Sequence, residues 1–347
     1  MHLAGIRKSI VGITALVSSM VVAAAQTSTP AMVPYQASSS NSQPASPQAA
    51  APQASPDAPI ANDQSSDQSG AFVFKKQVDE VVLHATVVND RGALETHLDR
   101  AAFAVFEDGI PQTVTSFRRQ DVPVAIGVVI DNSGSMRDKR AEVNQSVLNL
   151  VRASNPDDEV FVVNFGRNPY LDQDFTSDVH LLETALHQTS TQGSTALYDA
   201  IYASATHLRN NPRLEKRILL VITDGKDNMS RKTLEETQKA LQQDGGPTLY
   251  AIGLMDGQNQ FPGREALQRL ADATGGAAFF PASLEQVRDI TRSLAHDIRS
   301  QYIIAYRPHI QNPKANYHPI RVEAHAPGYA DLVVRTRKGI YTGESVR

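Results

Sequence analysis

Residues 124–136 read VAIGVVIDNSGSM, and this stretch decides the fold. Its first part, 124–130, is apolar throughout, as expected of a strand that is buried on both faces of a sheet. Its second part contains the pattern D-x-S-x-S and a glycine, which is typical of a tight polar loop. A buried strand that runs directly into such a loop indicates a parallel α/β sheet.

The same alternation continues along the chain. Apolar strand-like runs are followed by stretches in which apolar residues recur at helical spacing. We predict strands over 124–130, 160–165, 170–175, 217–223, 249–254 and 277–280. We predict helices over 139–153, 178–189, 196–208, 230–243, 264–274 and 284–299. This order predicts a Rossmann-like, doubly wound and mostly parallel sheet with helices on both faces.

Both flanks of this region read as β structure. Residues 78–88 alternate as a strand does, and 103–107 with the turn Asp108-Gly109 and 113–117 predict a hairpin. Three more strands are predicted over 302–306, 320–324 and 332–336. Together the flanks supply about six strands, which is a usual number for one sheet. We therefore expect a smaller, discontinuous all-β domain, 71–121 plus 301–343, into which an α/β domain, 122–300, is inserted.

The amino terminus predicts export. Arg7 and Lys8 precede an apolar stretch over 10–25 that ends in Ala-Ala-Ala. This pattern is typical of a secretory signal peptide, here 1–25, although an uncleaved anchor is the alternative. The apolar core is shorter than the ~20 residues that span a bilayer, which favours cleavage. We expect a periplasmic or extracellular protein whose mature chain has no membrane span.

Composition excludes several classes of protein. Residues 26–70 are rich in Ser, Ala, Pro and Gln, and predict a disordered linker. Cysteine is absent, which excludes disulfides, thiolate metal sites, a thiol nucleophile and a lipid-modified cysteine. The formal net charge of −4 gives no reason to expect binding to nucleic acid.

Three predicted loops carry side chains with oxygen atoms. The first loop, 131–135, and the third loop, 223–225, follow predicted strands, and the second loop, 193–195, precedes a predicted helix. Loops at the carboxyl ends of the strands in an open α/β sheet converge on one crevice. The residues that we expect to meet there are Asp131, Ser133, Ser135, Thr195 and Asp224.

These five side chains form an all-oxygen set of two carboxylates and three hydroxyls. Such a set suits a hard cation, Mg²⁺ or Ca²⁺, and disfavours zinc. Each loop has another explanation by itself, because Asp, Ser and Thr commonly cap helices and Asp224-Gly225 is a usual turn. Their occurrence together at three loops favours a metal site.

The loops resemble the metal ion-dependent adhesion site (MIDAS) of the von Willebrand factor A domain superfamily. The arrangement of leader, β flanks and α/β region is similar to bacterial exported VWFA-related domain proteins. The further stretches that carry this resemblance are FAVFEDGIPQ at 103–112, TALYDA at 195–200 and YIIAYRP at 302–308. The resemblance implies that the five residues bind Mg²⁺, or Mn²⁺ or Ca²⁺, directly or through water. It also implies that an acidic side chain of a protein or peptide partner completes the coordination.

Motifs of common enzymes are missing from the sequence. It has no G-x-S-x-G nucleophile elbow, no H-E-x-x-H and no phosphate-binding G-x-x-x-x-G-K-[ST]. We therefore expect a cation-dependent binding module in adhesion or assembly, and not an enzyme. Two alternatives stay open: a structural envelope protein with a stabilising metal, and a metal-assisted hydrolase. The partner, the choice of cation and the oligomeric state are not determined by the sequence.

Overall fold

A six-stranded sheet forms the centre of the molecule. The computed structural model describes residues 80–187, 193–211, 213–255, 261–309 and 316–342. The predicted signal peptide and linker lie outside these residues. The central strands are β5 (Val124–Asp131), β6 (Glu159–Phe165), β7 (Pro169–Thr176), β8 (Lys216–Thr223), β9 (Thr248–Gly253) and β10 (Ala277–Phe279).

The sheet has the order β10-β9-β8-β5-β6-β7. All neighbours are parallel except β6 and β7, which are antiparallel, so β7 is an antiparallel edge strand. β5 is the first of these strands in sequence and lies between β6 and β8. The chain continues from β5 to β6 and β7 on one side of it, and then crosses to β8, β9 and β10 on the other side. This change of direction creates a crevice at the carboxyl end of β5.

Helices cover both faces of this sheet. They are α1 (Arg140–Arg152), α2 (Val179–His187), α3 (Leu197–Asn210), α4 (Leu234–Leu241), α5 (Arg264–Thr274) and α6 (Leu284–Arg299). Apolar side chains of α1, α2 and α6 share one core with the strands, and those of α3, α4 and α5 share a second. Every residue of β5 is buried because the strand contributes to both cores.

Helix α4 begins later than predicted. The sequence pattern placed its start at residue 230, but the helix begins after Thr233. Thr233 and Glu236 form a capping box, in which each side chain accepts a hydrogen bond from the other's backbone N–H. The preceding residues, Ser230 and Arg231, instead bond to Asp199 in the first turn of α3.

Two four-stranded antiparallel sheets are built from the flanks. The strands are β1 (Val81–Asn89), β2 (Phe103–Glu107), β3 (Ile110–Gln112), β4 (Val114–Arg118), β11 (Tyr302–Tyr306), β12 (Tyr317–Ala324), β13 (Leu332–Arg335) and β14 (Gly339–Tyr341). Their orders are β13-β1-β11-β4 and β14-β12-β2-β3. In each sheet, strands from before the α/β region pair with strands from after it. Apolar side chains of the two sheets share one core.

The predicted hairpin of 103–107 with 113–117 was wrong. After the Asp108-Gly109 turn, β2 pairs with β3, the short strand Ile110–Gln112. β4 pairs instead with β11 in the other sheet. The Asp108-Gly109 turn leads directly into β3, which contains Pro111, and the predicted segment lies beyond it. A proline is acceptable there because β3 is an edge strand.

The predicted fold class is confirmed: a mostly parallel, doubly wound sheet flanked by helices is accompanied by separate antiparallel sheets. The boundaries 122–300 for the α/β domain, and 71–121 plus 301–343 for the β domain, stay predictions. Among the described residues, no helix is both long enough and apolar enough to cross a membrane.

Candidate metal centre

The first loop begins where β5 ends. Asp131 is the last residue of β5 and is fully buried. Its Oδ1 accepts a hydrogen bond of 2.8 Å from the backbone N–H of Ser133, which turns the chain back towards the carboxylate. Ser135 lies in a short 3-10 helix, Gly134–Met136, and its Oγ is 3.2 Å from that of Ser133. Three predicted ligands thus lie together on one tight turn.

The third loop reaches the first because β8 lies next to β5 and parallel to it. The Oγ of Ser135 donates a hydrogen bond of 2.8 Å to Oδ1 of Asp224. The hydroxyl of Thr223, the last residue of β8, donates at 2.6 Å to Oδ2 of Asp131. The carboxylates of Asp131 and Asp224 are therefore both hydrogen-bonded to the turn that contains Ser133 and Ser135.

The second loop brings the remaining hydroxyl. Thr195 is buried. Its hydroxyl and the carboxylate of Asp131 both lie close to Gly225. A methyl group placed on Gly225 would lie 3.5 Å from Oγ1 of Thr195 and 3.9 Å from Oδ2 of Asp131. The hydroxyl and the carboxylate thus border the same small space. All five residues selected from the sequence lie at this edge of the sheet, and their role as metal ligands stays a prediction.

Asn228 holds the second loop against the third. Its side-chain Oδ1 accepts a hydrogen bond of 2.9 Å from the backbone N–H of Thr195. Its own backbone N–H donates at 3.0 Å to the carbonyl oxygen of Thr195. Two bonds from one residue thus fix the backbone of Thr195.

A second set of bonds fixes the start of α3. The carboxylate of Asp199 accepts hydrogen bonds from the backbone N–H groups of Arg231 and Lys232. In return, the backbone N–H of Asp199 donates to the Oγ of Ser230. Asp227 accepts from the backbone N–H of Tyr198. The second and third loops therefore form one hydrogen-bonded unit beside the five predicted ligands.

The two carboxylates carry charge in a poorly solvated place. Burial raises the pKa of Asp131, the hydrogen bonds from Thr223 and Ser133 lower it, and the nearby Asp224 raises it further. The Asp224 side chain is only 2 % exposed. Burial also lowers the pKa of Arg140 to about 10, with Asp131 opposing the shift. Arg140 contacts the backbone carbonyl of Asp131 rather than its carboxylate, at 3.4 Å.

Lys139 contacts one carboxylate of this pair. Its Nζ lies 2.6 Å from Oδ2 of Asp224, and its side chain is 24 % exposed. Only the fold shows this contact, because the lysine and the aspartate lie on different loops and are far apart in sequence.

The donor set fits a hard divalent cation. It contains hydroxyl and carboxylate oxygens only, which Mg²⁺, Mn²⁺ and Ca²⁺ prefer. Two buried carboxylates are costly to ionise without a positive charge nearby. Ser135 is exposed, while Asp131, Ser133 and Thr195 are buried, so the set is open to solvent on one side. An ion held there could therefore accept a ligand from outside.

Comparison with known families agrees with this geometry. Residues 126–226 match a family model described as von Willebrand factor type A domain. The matched residues run from β5 to the third loop and include all five predicted ligands. This part of the chain is similar to the von Willebrand factor type A domain. We call the six-stranded sheet with α1 to α6, residues 124–299, the A domain.

Solved structures show similar folds at low identity. A von Willebrand factor type A protein from Catenulispora acidiphila has 14% identity and a TM-score of 0.44, with 77% of this chain and 74% of that chain covered. A minor pilin, PilB, from Streptococcus sanguinis has 12% identity and a TM-score of 0.45, with coverages of 51% and 62%. Proximal thread matrix protein 1 from the mussel byssus, solved with a zinc-occupied MIDAS motif, has 17% identity and a TM-score of 0.45, with coverages of 56% and 50%.

The similarity to the family rests on the match of residues 126–226 to the family model, because these TM-scores are low. The match spans less than two thirds of the pilin and about half of the byssus protein. A search among curated proteins found no significant match.

Proposed function

We propose that the A domain binds a divalent cation through Asp131, Ser133, Ser135, Thr195 and Asp224, and that the bound ion recruits a carboxylate of a protein or peptide partner. The observation that carries this proposal is the meeting of three separate loops at one edge of the sheet. Their five side chains offer only oxygen atoms, and the carboxylates among them are buried.

The hydroxyls, the carboxylates and Asn228 have different roles in this proposal. The hydroxyls of Ser133, Ser135 and Thr195 are placed to donate lone pairs to the ion. The carboxylates of Asp131 and Asp224 balance its charge, directly or through water. Asn228 keeps Thr195 in position through its two bonds to the Thr195 backbone. When bound, the ion supplies the positive charge that attracts an acidic partner.

The open side of the site supports an external ligand. Ser135 and the following residues, Arg137 and Asp138, are exposed. A partner could therefore approach along this surface without displacing the core. Two of the similar structures have names that point to assembly or adhesion, the minor pilin and the byssal thread protein. We extend this role to the present chain as part of the proposal, together with its export to the periplasm or the cell exterior.

A metal-assisted hydrolase finds less support. Such an enzyme needs a general base beside the metal. Asp199 and Asp227, the further carboxylates of the second and third loops, are engaged by backbone N–H groups. We therefore propose a binding protein, not an enzyme.

The test separates cation binding from partner binding. Titration calorimetry with Mg²⁺ alone should give one site on the full chain, and none on Asp131→Ala. The matched control is Asp138→Ala, which removes an exposed aspartate of the same loop and should bind like the native chain. Pull-down from an envelope extract, with immobilised native or Asp131→Ala protein and with or without EDTA, then tests the partner.

Each alternative has its own result. If native protein with EDTA, and Asp131→Ala protein, capture the same proteins as native protein without EDTA, the ion has only a structural role, and the binding proposal is wrong. Metal-dependent turnover of generic ester or phosphate substrates that Asp131→Ala loses would instead show a hydrolase. Absence of any cation uptake by the native chain would contradict the proposal at its first step.

A further inference from the structure

The core shared by the two antiparallel sheets has a polar end. On β2, the inward-facing positions are Phe103, Val105 and Glu107. On β12, the buried positions are His318, Ile320, Val322 and Ala324. Because Glu107 pairs with Ile320, Glu107 and His318 lie at the same end of these two rows. Buried positions of this kind are usually occupied by apolar residues, so the presence of Glu107 and His318 there requires an explanation.

The two residues meet a third at the hairpin turn. Nδ1 of His318 lies 2.7 Å from Oδ2 of Asp108 and 3.8 Å from Oε1 of Glu107. One potential ligand atom from each residue lies within 4.8 Å of the other two. The set therefore contains an imidazole nitrogen and two carboxylate oxygens from separate side chains.

The turn places Asp108 with precision. Its φ is 53°, a left-handed conformation that aspartate and asparagine tolerate better than most residues. Its backbone N–H donates a hydrogen bond of 3.0 Å to the carbonyl of Pro319, the residue after His318. The turn is thus tied to β12 beside the histidine, and the carboxylate of Asp108 points at the imidazole.

Glu107 is a buried carboxylate with little compensation. The residue is 5% exposed, and within the described residues its Oε2 makes no hydrogen bond of normal geometry. In the described part of the chain, no lysine or arginine forms a salt bridge with it. The hydroxyl of Tyr306 is buried, and burial, followed by a hydrogen-bonding interaction with Glu107, raises the pKa of this tyrosine. A hydrogen bond between His318 and Asp108 accounts for that pair but not for the burial of Glu107.

We propose that Glu107, Asp108 and His318 form a second metal site, selective for a divalent transition ion such as Zn²⁺. Imidazole together with carboxylates suits zinc, whereas the all-oxygen set of the A domain suits harder ions. Binding would use the lone pair of His318 Nδ1, which requires the tautomer that carries its proton on Nε2. The ion would take one carboxylate oxygen each from Glu107 and Asp108 and so join the β2–β3 turn to β12. This proposal does not depend on the function of the A domain.

The test uses the full chain with the A-domain site removed, because zinc could also enter that site. Asp131→Ala protein is loaded with Zn²⁺ alone, desalted, and its metal content measured by mass spectrometry. We expect one equivalent of zinc. Adding His318→Gln or Asp108→Asn to this background should remove it. Asp108→Asn is the safer variant, since asparagine also accepts a positive φ and the Asp108 side chain is 30% exposed.

Two matched controls complete the experiment. His325→Gln and Asp90→Asn change an exposed histidine and an exposed aspartate of a turn, and both should keep the zinc. Circular dichroism verifies that each variant is folded. If His318→Gln does not fold, the zinc content of Asp108→Asn decides the test. The proposal is overturned if Asp131→Ala retains no zinc. It is equally overturned if folded Asp108→Asn retains as much zinc as the controls.

Discussion

Lys139 shows how a single residue sets the charge balance of the A-domain site. Its ammonium group contacts Asp224 at 2.6 Å, so it neutralises a carboxylate that a cation would also use. The lysine is partly exposed and its side chain is long, so it can move into solvent. It therefore competes with a divalent ion for the same oxygen atoms.

The variant Lys139→Gln should bind Mg²⁺ and Mn²⁺ more tightly than the native chain. The gain should be roughly fivefold, since a partly exposed ion pair contributes up to about 1 kcal/mol. Calorimetric titration measures it, and Lys226→Gln, on the third loop, serves as a charge-matched control. Equal or weaker binding by Lys139→Gln would mean that the lysine assists the ion.

Asn228 acts on the site without touching the ion. Replacement by alanine removes the acceptor of the Thr195 N–H, a part-buried hydrogen bond of a kind that contributes about 0.5–1.5 kcal/mol. We expect Asn228→Ala to fold and to bind Mn²⁺ about tenfold more weakly, because Thr195 is less well held. Asn210→Ala, at an exposed position of α3, is the control. If Asn228→Ala binds Mn²⁺ as tightly as the native chain does, Asn228 does not position Thr195 for the ion.

Residues of the site differ in how visible they are in the sequence. Asp131, Ser133 and Ser135 are adjacent in one motif, and Thr195 and Asp224 stand at loops that the strand pattern locates. Lys139 and Asn228 belong to no motif, because their partners lie on other loops. Their roles follow from distances between loops, which hydrophobic periodicity does not contain.

At the scale of elements, β5 is a strand buried along its whole length. Gly127 lies at its centre, where a methyl group would overlap the ring of Phe161 and lie 2.8 Å from Cδ1 of Leu219. These side chains belong to β6 and β8, the two neighbours of β5. The strand thus requires glycine for close packing.

Gly127→Ala should lower the free energy of unfolding by about 1–3 kcal/mol, the usual cost of overpacking a core. Urea denaturation followed by circular dichroism measures the loss. Gly193→Ala, where a methyl group meets nothing within 4 Å, should be close to neutral. A native denaturation midpoint for Gly127→Ala would show that the core relaxes around the added methyl group.

The pattern of apolar residues predicted the long elements well and the short ones poorly. α5 and α6 have the predicted limits, because their apolar stripes are complete. The partner of β2 was misassigned, since β3 is a three-residue edge strand without a buried face. β14 was missed for a related reason: a strand of three residues is too short for alternation to be recognised.

At the scale of the whole molecule, a buried polar network joins the β sheets to the A domain. Asp297 of α6 accepts hydrogen bonds from Thr86 of β1 and Arg335 of β13. Gln301 donates to Thr86 and to the hydroxyl of Tyr250 on β9. Sequence reasoning could not find these contacts, which join residues distant in the chain. We propose that 122–300 nevertheless folds by itself, because its two cores are complete.

His84 of β1 makes stability depend on pH. Burial, followed by the nearby cations Lys216, Arg337, Arg118 and Arg217, lowers its pKa to about 3. Among the described residues, its buried Nδ1 has no hydrogen-bond partner. Below the ordinary histidine pKa of 6.5, the unfolded chain takes up a proton that folded His84 does not accept. Its contribution to stability is therefore present at neutral pH and is lost progressively as the pH falls from 6.5 towards 3.

The native chain should lose more stability than His84→Gln between about pH 7 and about pH 4.5, since only the native unfolded state gains this proton. Urea midpoints at the two pH values measure the difference. His325→Gln, which changes an exposed histidine, should behave like the native chain. Equal losses in the native chain and His84→Gln would show that His84 is protonated in the folded state.

The most direct test of the A-domain site is an anomalous-scattering map from crystals of the full chain grown with Mn²⁺. The account predicts a manganese peak at the carboxyl end of β5, within about 2–2.5 Å of hydroxyl oxygens from Ser133, Ser135 or Thr195. It predicts no such peak in Asp131→Ala crystals grown in the same way. A map of the native protein with no peak among these three loops would contradict the claim that they hold one cation.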